Sequence, residues 1–360
     1  MFKAMTKALY SVMKLLPVKR QVCFFSRQSD SVPLDFKLII DQLEQEDVEI
    51  RIICNRFSKR EDGMLRFCFN QFRSLLYLAR SQVCVIDSYW PVVSVLNHKK
   101  DLTVIQIWHS IGKIKKSGYQ NVGRECGRSK EITEIMCMHK NYDYVIAGGK
   151  AWDRYYCEAF NITTDKIRNY GLPRLDYILN RKRESNEFLE KHRELKNKKL
   201  IFYAPTYRTY PISSVEQLSN CFKENDDYRI IYRPHPRQVH CNEFNDVIDG
   251  SKENLADLFD ACQYFITDYS SLALEASLFD KKTLYYLFDD EKYKKENGCN
   301  IDLIKEMPEV SSTNENDIYE IINENKYPEN FLETYRKKYL PEELGNSTSK
   351  IAGLIMENLK

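Results

Sequence analysis

The 360-residue chain lacks the marks of several large functional classes. No apolar run approaches the roughly 18–20 residues that a membrane span needs. Eleven cysteines are scattered from Cys23 to Cys299, with no CxxC pair and none in zinc-finger spacing with a histidine. That pattern argues against structural zinc or a disulfide framework and fits reduced, mostly buried thiols in a cytosolic protein. The formal net charge of +2 is too small to point to nucleic acid. There is no short tandem repeat and no low-complexity tract. No DxD-type acidic pair stands at a predicted strand end, so neither a metal-bound diphosphate nor a cofactor is expected. Cationic side chains and N–H groups would then have to stabilise any developing negative charge.

What is present is a globular composition, with 43% hydrophobic and 29% charged residues. The length suits two domains, each with its own core. At the N-terminus Phe2, Met5, Leu9, Val12, Met13 and Leu16 fall on one helical face, with Lys3, Lys7, Ser11 and Lys14 on another. Pro17 stops the pattern. The lysines interrupt what a signal peptide would keep apolar. Two readings remain open: a basic amphipathic helix lying on an anionic membrane, or a helix packed on the protein's own surface.

Along the chain, short β-like runs alternate with helical stretches. Strands are predicted at 22–25, 48–54, 83–87, 103–108, 142–147, 200–203, 229–232, 264–267 and 283–287. Most are continuous apolar runs, as in strands buried on both faces. Helical periodicity covers 34–45, 64–79 and 272–279, and the last third from Asp317 is helical and polar. Such alternation predicts parallel sheets with crossover helices. The charged stretch 180–199 divides the series and reads as a linker with a solvated helix. The expected fold is α/β, two Rossmann-like domains facing a cleft. Residues 1–180 would form an N-terminal domain and 181–345 a C-terminal domain. Residues 346–360 would form a helix bracing the two.

Ligands of such sheets bind beyond the carboxyl ends of the strands, and four groups of reactive residues stand there. In Gln106-Ile107-Trp108-His109-Ser110-Ile111-Gly112-Lys113, a neutral His109 could take a proton from a hydroxyl at neutral pH. Lys113, Lys115 and Lys116 follow and suit a phosphate or an anionic acceptor. In Tyr203-Ala204-Pro205-Thr206-Tyr207-Arg208, Thr206 and Arg208 could bind phosphate oxygens. Arg233-Pro234-His235-Pro236 fixes one histidine between two prolines. In Thr267-Asp268-Tyr269-Ser270-Ser271, two hydroxyls meet a helix N-terminus, with Glu275 one turn in, within reach of a ribose hydroxyl. Each group also has a plainer reading: a backbone-satisfied histidine with solvated lysines, an ordinary turn, a tight turn, and a serine N-cap.

Taken in order, these segments, with Gly171-Leu172-Pro173-Arg174-Leu175-Asp176 between them, resemble the motifs of the CDP-glycerol glycerophosphotransferases, the teichoic-acid primases and polymerases. The resemblance spans about residues 83–290. The chain departs from it at Ser110-Ile111-Gly112-Lys113, where many members carry Gly and then a Thr-Pro-Leu-Lys type segment. The resemblance implies a glycosyltransferase-B fold with residues 1–180 as the acceptor and membrane-side domain and 181–345 as the donor-binding domain, no metal for donor binding, and a peripheral position on the inner face of the cell membrane. It implies that His109 is the general base, that His235 neutralises donor phosphate, and that Ser270 and Ser271 bind the donor diphosphate. Arg233, Thr206, Arg208, Asp268 and Glu275 complete the expected donor site, and Lys113, Lys115 and Lys116 the acceptor or phosphate site. The implied partners are CDP-glycerol or CDP-ribitol, a lipid-linked saccharide acceptor and an anionic membrane surface, with no nucleic acid. The implied reaction moves phosphoglycerol to an acceptor hydroxyl and releases CMP.

Other classes carry distinct signatures. A capsule transferase that uses CMP-sugars would also pair a His-Pro motif with a serine motif. A non-catalytic lipid- or polymer-binding protein would associate with membranes without releasing CMP. An RNA-binding protein would gather its tyrosines and lysines, which here are spread through the chain.

Overall fold

The computed structural model describes residues 2–56, 61–182, 186–238 and 246–360; residues 183–185 of the charged stretch lie outside that set. The chain forms two compact units, Met1–Leu179 with Lys338–Lys360, and Asn180–Lys337. The observed division returns the chain to the first unit at Lys338, ahead of the expected boundary at 345.

The first unit is built on a six-stranded sheet. Its strands are β1 (Gln21–Ser26), β2 (Glu49–Cys54), β3 (Val83–Ile86), β4 (Thr103–Gln106), β5 (Tyr144–Ile146) and β6 (Ile167–Arg168). The spatial order is β2-β1-β3-β4-β5-β6 and every pairing is parallel. Every residue of β1 and β3 is buried, which is why both read as unbroken apolar runs. β2, at the edge, is half exposed. The chain enters at β1, moves out to β2, and returns across β1 to β3. This places a topological switch point between β1 and β3, where such sheets gather ligands.

The second unit repeats the plan with β7 (Lys199–Tyr203), β8 (Tyr228–Tyr232), β9 (Val247–Asp249), β10 (Tyr264–Thr267), β11 (Lys282–Tyr286) and β12 (Ser311–Ser312). The order is β12-β11-β10-β7-β8-β9, again all parallel, with the switch point between β7 and β10.

All nine predicted strands are present. β6, β9 and β12 were not predicted: they run two or three residues, and β12 is a pair of serines, too short for a periodic signal. The strand expected over 103–108 stops at Gln106, because Trp108 adopts a left-handed backbone (φ 58°) that no strand can continue. The helix expected to be solvated in the charged stretch is Glu187–Lys191, and it is anchored instead. Phe188 is fully buried, Asn186 accepts from Leu189 N–H at 3.0 Å, and the Asn186 side chain donates to the Asp257 carbonyl at 2.8 Å.

Gly171-Leu172-Pro173-Arg174-Leu175-Asp176 proves to be a fastening. Gly171 has φ +73°, and a Cβ there would stand 2.7 Å from a Leu175 methyl and 2.8 Å from Pro341 Cγ, so no larger residue fits. Arg174 makes a forked ion pair with the buried Asp35, its Nε donating at 2.9 Å and its backbone N–H at 2.9 Å. Asp176 accepts from the backbone N–H of Ser347 at 3.0 Å and of Thr348 at 2.7 Å, capping the helix Ser347–Glu357 from outside it. That helix, expected to brace two domains, packs against the helix Leu34–Leu43 of its own unit.

The helix Phe2–Met13 sits the opposite way from an ordinary surface helix. Thr6 and Tyr10 face inward, Tyr10 at 1% exposure, and Tyr10 Oη donates to His98 Nδ1 at 2.9 Å while His98 Nε2 donates to the Val93 carbonyl at 2.7 Å. The apolar stripe faces out, with Met5 at 52% and Val12 at 66% exposure. Among the described residues no helix is long and apolar enough to cross a membrane.

Asp176→Ala strips two first-turn amides of their acceptor. A loss of about 1–2 kcal/mol is expected, read as a fall of about 2–6 °C in melting temperature by circular dichroism.

Candidate functional site

In the first unit the site forms where β1, β3 and β4 end. Trp108 breaks β4, its N–H donating to Gln106 Oε1 at 2.8 Å. A bulky residue held at positive φ costs about 1–3 kcal/mol and persists only where its surroundings over-determine it. What that conformation aims is the next residue. His109 is half-buried, its ring 4.2 Å from the Trp108 ring. Its Nδ1 lies 3.0 Å from the Asp87 carbonyl oxygen. A carbonyl can only accept, so Nδ1 carries the hydrogen and Nε2 keeps its lone pair. The Gln28 side-chain amide packs against the same Nδ1 at 3.2 Å. Burial, aided by the nearby charges of Lys113, Arg174 and Lys115, lowers the His109 pKa to about 4, so the imidazole is neutral at pH 7. The Ser110 hydroxyl donates to the Gly112 carbonyl at 2.6 Å and Tyr156 Oη to the Ser110 carbonyl at 2.6 Å, which holds the following loop.

Sequence reasoning did not single out Asp87. Its carboxyl is buried and accepts from the Ser26 and Ser88 hydroxyls, Ser88 at 2.8 Å. Burial raises its pKa to about 6, against the lowering effect of those hydrogen bonds. The signal that could have found it is its place at the carboxyl end of β3, beside the switch point.

The three lysines do not act as a set. Lys115 is exposed and Lys116 half-buried, but Lys113 is only 3% exposed, so it does not stand out in the loop as a solvent-facing phosphate ligand would. Its Nζ sits 4.1 Å from the Trp108 ring centre, 4.3 Å from Phe160 and 4.8 Å from Tyr156, and donates to Ser117 Oγ at 2.8 Å.

In the second unit Thr206 follows β7, Asp268, Ser270 and Ser271 follow β10, and Arg233 and His235 follow β8, around the switch point. Arg208 was expected to meet phosphate; the structure turns it inward, 2% exposed. Its Nε and Nη2 donate to Asp289 at 2.6 and 2.8 Å, Nη2 also to Asp268 at 2.9 Å, and Nη1 to Thr206 Oγ1 at 2.7 Å. The guanidinium lies 4.1 Å from the Tyr293 ring centre. Burial pulls its pKa down, but the two carboxylates more than offset that and raise it. Asp268 also accepts from the Thr206 N–H at 2.9 Å and hydroxyl at 2.9 Å. Thr206, Arg208 and Asp268 thus form one buried network that fixes the loops carrying the other residues. Arg233 is likewise a loop anchor, donating to the carbonyls of Gly250 at 3.2 Å and Glu253 at 2.6 Å.

His235 is half-buried, and its Nδ1 accepts from the Arg237 N–H at 3.2 Å. Its hydrogen is therefore on Nε2, the opposite tautomer to His109, so the two rings offer a donor and an acceptor respectively. Ser270 Oγ accepts from the Leu272 N–H at 3.2 Å. Ser271 occupies the N-cap position of the helix Leu272–Leu278 but makes no side-chain cap bond. Both serines and Glu275 are half-buried.

A family model described as CDP-glycerol:poly(glycerophosphate) glycerophosphotransferase matches residues 8–357. The chain belongs to that family. Its relatives include a teichoic acid ribitol-phosphate primase of Bacillus spizizenii, 28% identical, covering 95% of this chain and 92% of that protein. A teichoic acid glycerol-phosphate primase of Bacillus subtilis is also 28% identical, covering 80% of this chain and 76% of its own. Among solved structures, the wall teichoic acid polymerase TagF, in a variant soaked with CDPG, superposes with a TM-score of 0.74 at 20% identity, covering 99% of this chain and 94% of that one. The Staphylococcus aureus MnaA–UDP structure follows at 0.60 and 12% identity, covering 95% and 97%. The fold is of the glycosyltransferase-B type.

Arg208→Met leaves the buried Asp268 and the half-buried Asp289 without their cationic partner. The expected loss is about 3–5 kcal/mol of stability, seen in denaturant unfolding. An Arg208 that served chiefly as a ligand contact would cost little stability.

Proposed function

We propose that the chain transfers a phospho-alditol, phosphoglycerol or phosphoribitol, from its CDP-activated form to a hydroxyl of a lipid-linked acceptor in teichoic acid or capsule-type polymer synthesis. The acceptor oxygen attacks the β-phosphorus of the donor, the bond to CMP breaks, and the hydroxyl proton passes to Nε2 of His109. His235 presents its Nε2–H to a donor phosphate oxygen, and Ser270 and Ser271 bind the diphosphate. Positioning and charge stabilisation supply most of the rate, as is usual for phosphoryl transfer. The observation that carries this reading is the lock on His109: a backbone carbonyl on Nδ1 and a depressed pKa of about 4 leave a neutral ring with its lone pair on Nε2.

Glycerol and ribitol are the two candidate alditols: the ribitol- and glycerol-phosphate primases are each 28% identical, the ribitol one over more of this chain (95% against 80%). Membership of the family favours a CDP-alditol over a CMP-sugar. Melting-temperature titration with CDP-glycerol, CDP-ribitol, CMP-sialic acid and UDP-glucose separates these, since a ligand of the folded state raises the midpoint by mass action. His109→Ala is expected to slow CMP release about 10²–10⁴-fold while keeping the donor-induced rise. In the parent protein kcat/KM should stay level from pH 8 to pH 6 and fall only as His109 protonates near about 4. A His109→Ala protein with near-parental turnover would sink the assignment.

The chain works as a peripheral protein on the inner face of the cell membrane, through the outward stripe Met5, Leu9 and Val12 with Lys7 beside it. Replacing Met5, Leu9 and Val12 by serine is expected to weaken sedimentation with anionic vesicles at least about tenfold. The fold should survive with only a small fall in melting temperature, because Met5 and Val12 are more than half exposed and Leu9 over a third. Unchanged vesicle binding would rule this surface out.

A further inference from the structure

The loop after His109 departs from the pattern it resembles, and the departure contains Lys113. That residue does not behave as a surface lysine. It is buried under three aromatic rings, Trp108, Phe160 and Tyr156, each within 5 Å of Nζ. Burial pushes its pKa well below the ordinary lysine value, so packing and the Ser117 hydrogen bond hold the head group, and the ring faces favour it whenever it is charged. The rings come from separate elements. Tyr156 and Phe160 are one turn apart on the helix Asp153–Phe160, and Trp108 is in the loop after β4. The fourth wall is Ser117, whose Oγ takes the Nζ hydrogen at 2.8 Å. Ser117 is itself fixed, capping the turn Gly118–Asn121 in a capping box with Gln120. That turn can lie against the helix only because Gly118 has φ +57°; a Cβ there would fall 2.1 Å from the Ala159 carbonyl oxygen. The whole enclosure therefore closes on one head group, and one of its rings belongs to the residue held in a strained backbone beside His109.

We infer that Lys113 is a positioning residue for His109: its head group, seated between the Phe160, Tyr156 and Trp108 rings, holds Trp108 in its left-handed conformation and so sets the direction of His109 Nε2. The Trp108 ring is the link, 4.1 Å from Lys113 Nζ on one side and 4.2 Å from the His109 ring on the other. The titratable and charged groups around this cluster are Asp87, Lys115 and Arg174 near His109, and His139 near Lys113. This inference concerns the geometry of the ring; its catalytic consequence rests on the reading of His109 as the base.

The test uses the full chain with 15N-labelled histidine, the His109 signals being assigned by their loss in His109→Ala. The parent protein should show His109 as a single Nδ1–H tautomer that stays neutral down to about pH 5, its pKa lying near about 4. Lys113→Met keeps the length of the side chain and removes the amino head group with its bond to Ser117. It is expected to mix the two tautomers, which reads the direction of the ring; the titration midpoint also rises toward the ordinary histidine value of about 6.5, in part from loss of the Lys113 charge alone. It should also lower kcat about 10- to 100-fold, as a small misplacement of a reacting group does, with the KM for the CDP-alditol unchanged. If Lys113→Met does not fold, Trp108→Phe reads the same link from its other end, and the same changes are expected. His109 signals and titration in either folded variant that match the parent protein would overturn the inference. A change in those signals together with full activity of His109→Ala would leave the positioning intact and refute the base assignment instead.

Discussion

The second unit turns on one guanidinium. Arg208 leaves the end of β7, reaches Asp268 after β10 and Asp289 after β11, and bonds back to Thr206 in its own loop. Loops beyond parallel strands have no ladder to hold them, and here a buried two-carboxylate pair replaces it. Such a network is worth little against an apolar core of the same shape, but it is costly to leave half-made. It therefore permits one arrangement of the loops and strongly disfavours partial ones. His235, Ser270 and Ser271 ride on loops fixed in this way.

The first unit reaches the same end by different means. The loops after β3 and β4 are held by a backbone carbonyl and a strained tryptophan, and the forked ion pair of Arg174 with Asp35 lies in the motif that fastens the unit together. The two histidines differ for the same reason. A carbonyl behind His109 makes it a proton acceptor at Nε2, while an amide behind His235 makes it a donor there. Identical side chains take opposite chemical parts because of which backbone group lies behind each ring.

Much of this was legible beforehand because buried parallel strands write themselves as apolar runs, and reactive residues stood at their ends. All nine predicted strands and the alternation between them followed from that alone. What was not legible depended on partners far apart in sequence. Nothing local marks Arg208 as inward-facing: its carboxylate partner Asp289 lies 81 positions away. Lys113 was read as one of a lysine run, and only the fold brings Tyr156 and Phe160 over it. The capping of Ser347 by Asp176 spans 171 positions. Strands of two residues, such as β12, carry no period to detect.

The N-terminal helix is anchored by polar groups and dressed in apolar ones. Tyr10 and His98 tie it down, so Met5, Leu9 and Val12 are left outside without weakening its attachment. A helix of this kind need not turn over, unfold or fold anew to meet an apolar surface. The entropy of ordering it is already met when the unit folds, so contact with such a surface gains nearly the full benefit of the stripe. The same stripe sets a handling property: in water alone, concentrated protein should favour self-association through this face, and a mild detergent should reverse it.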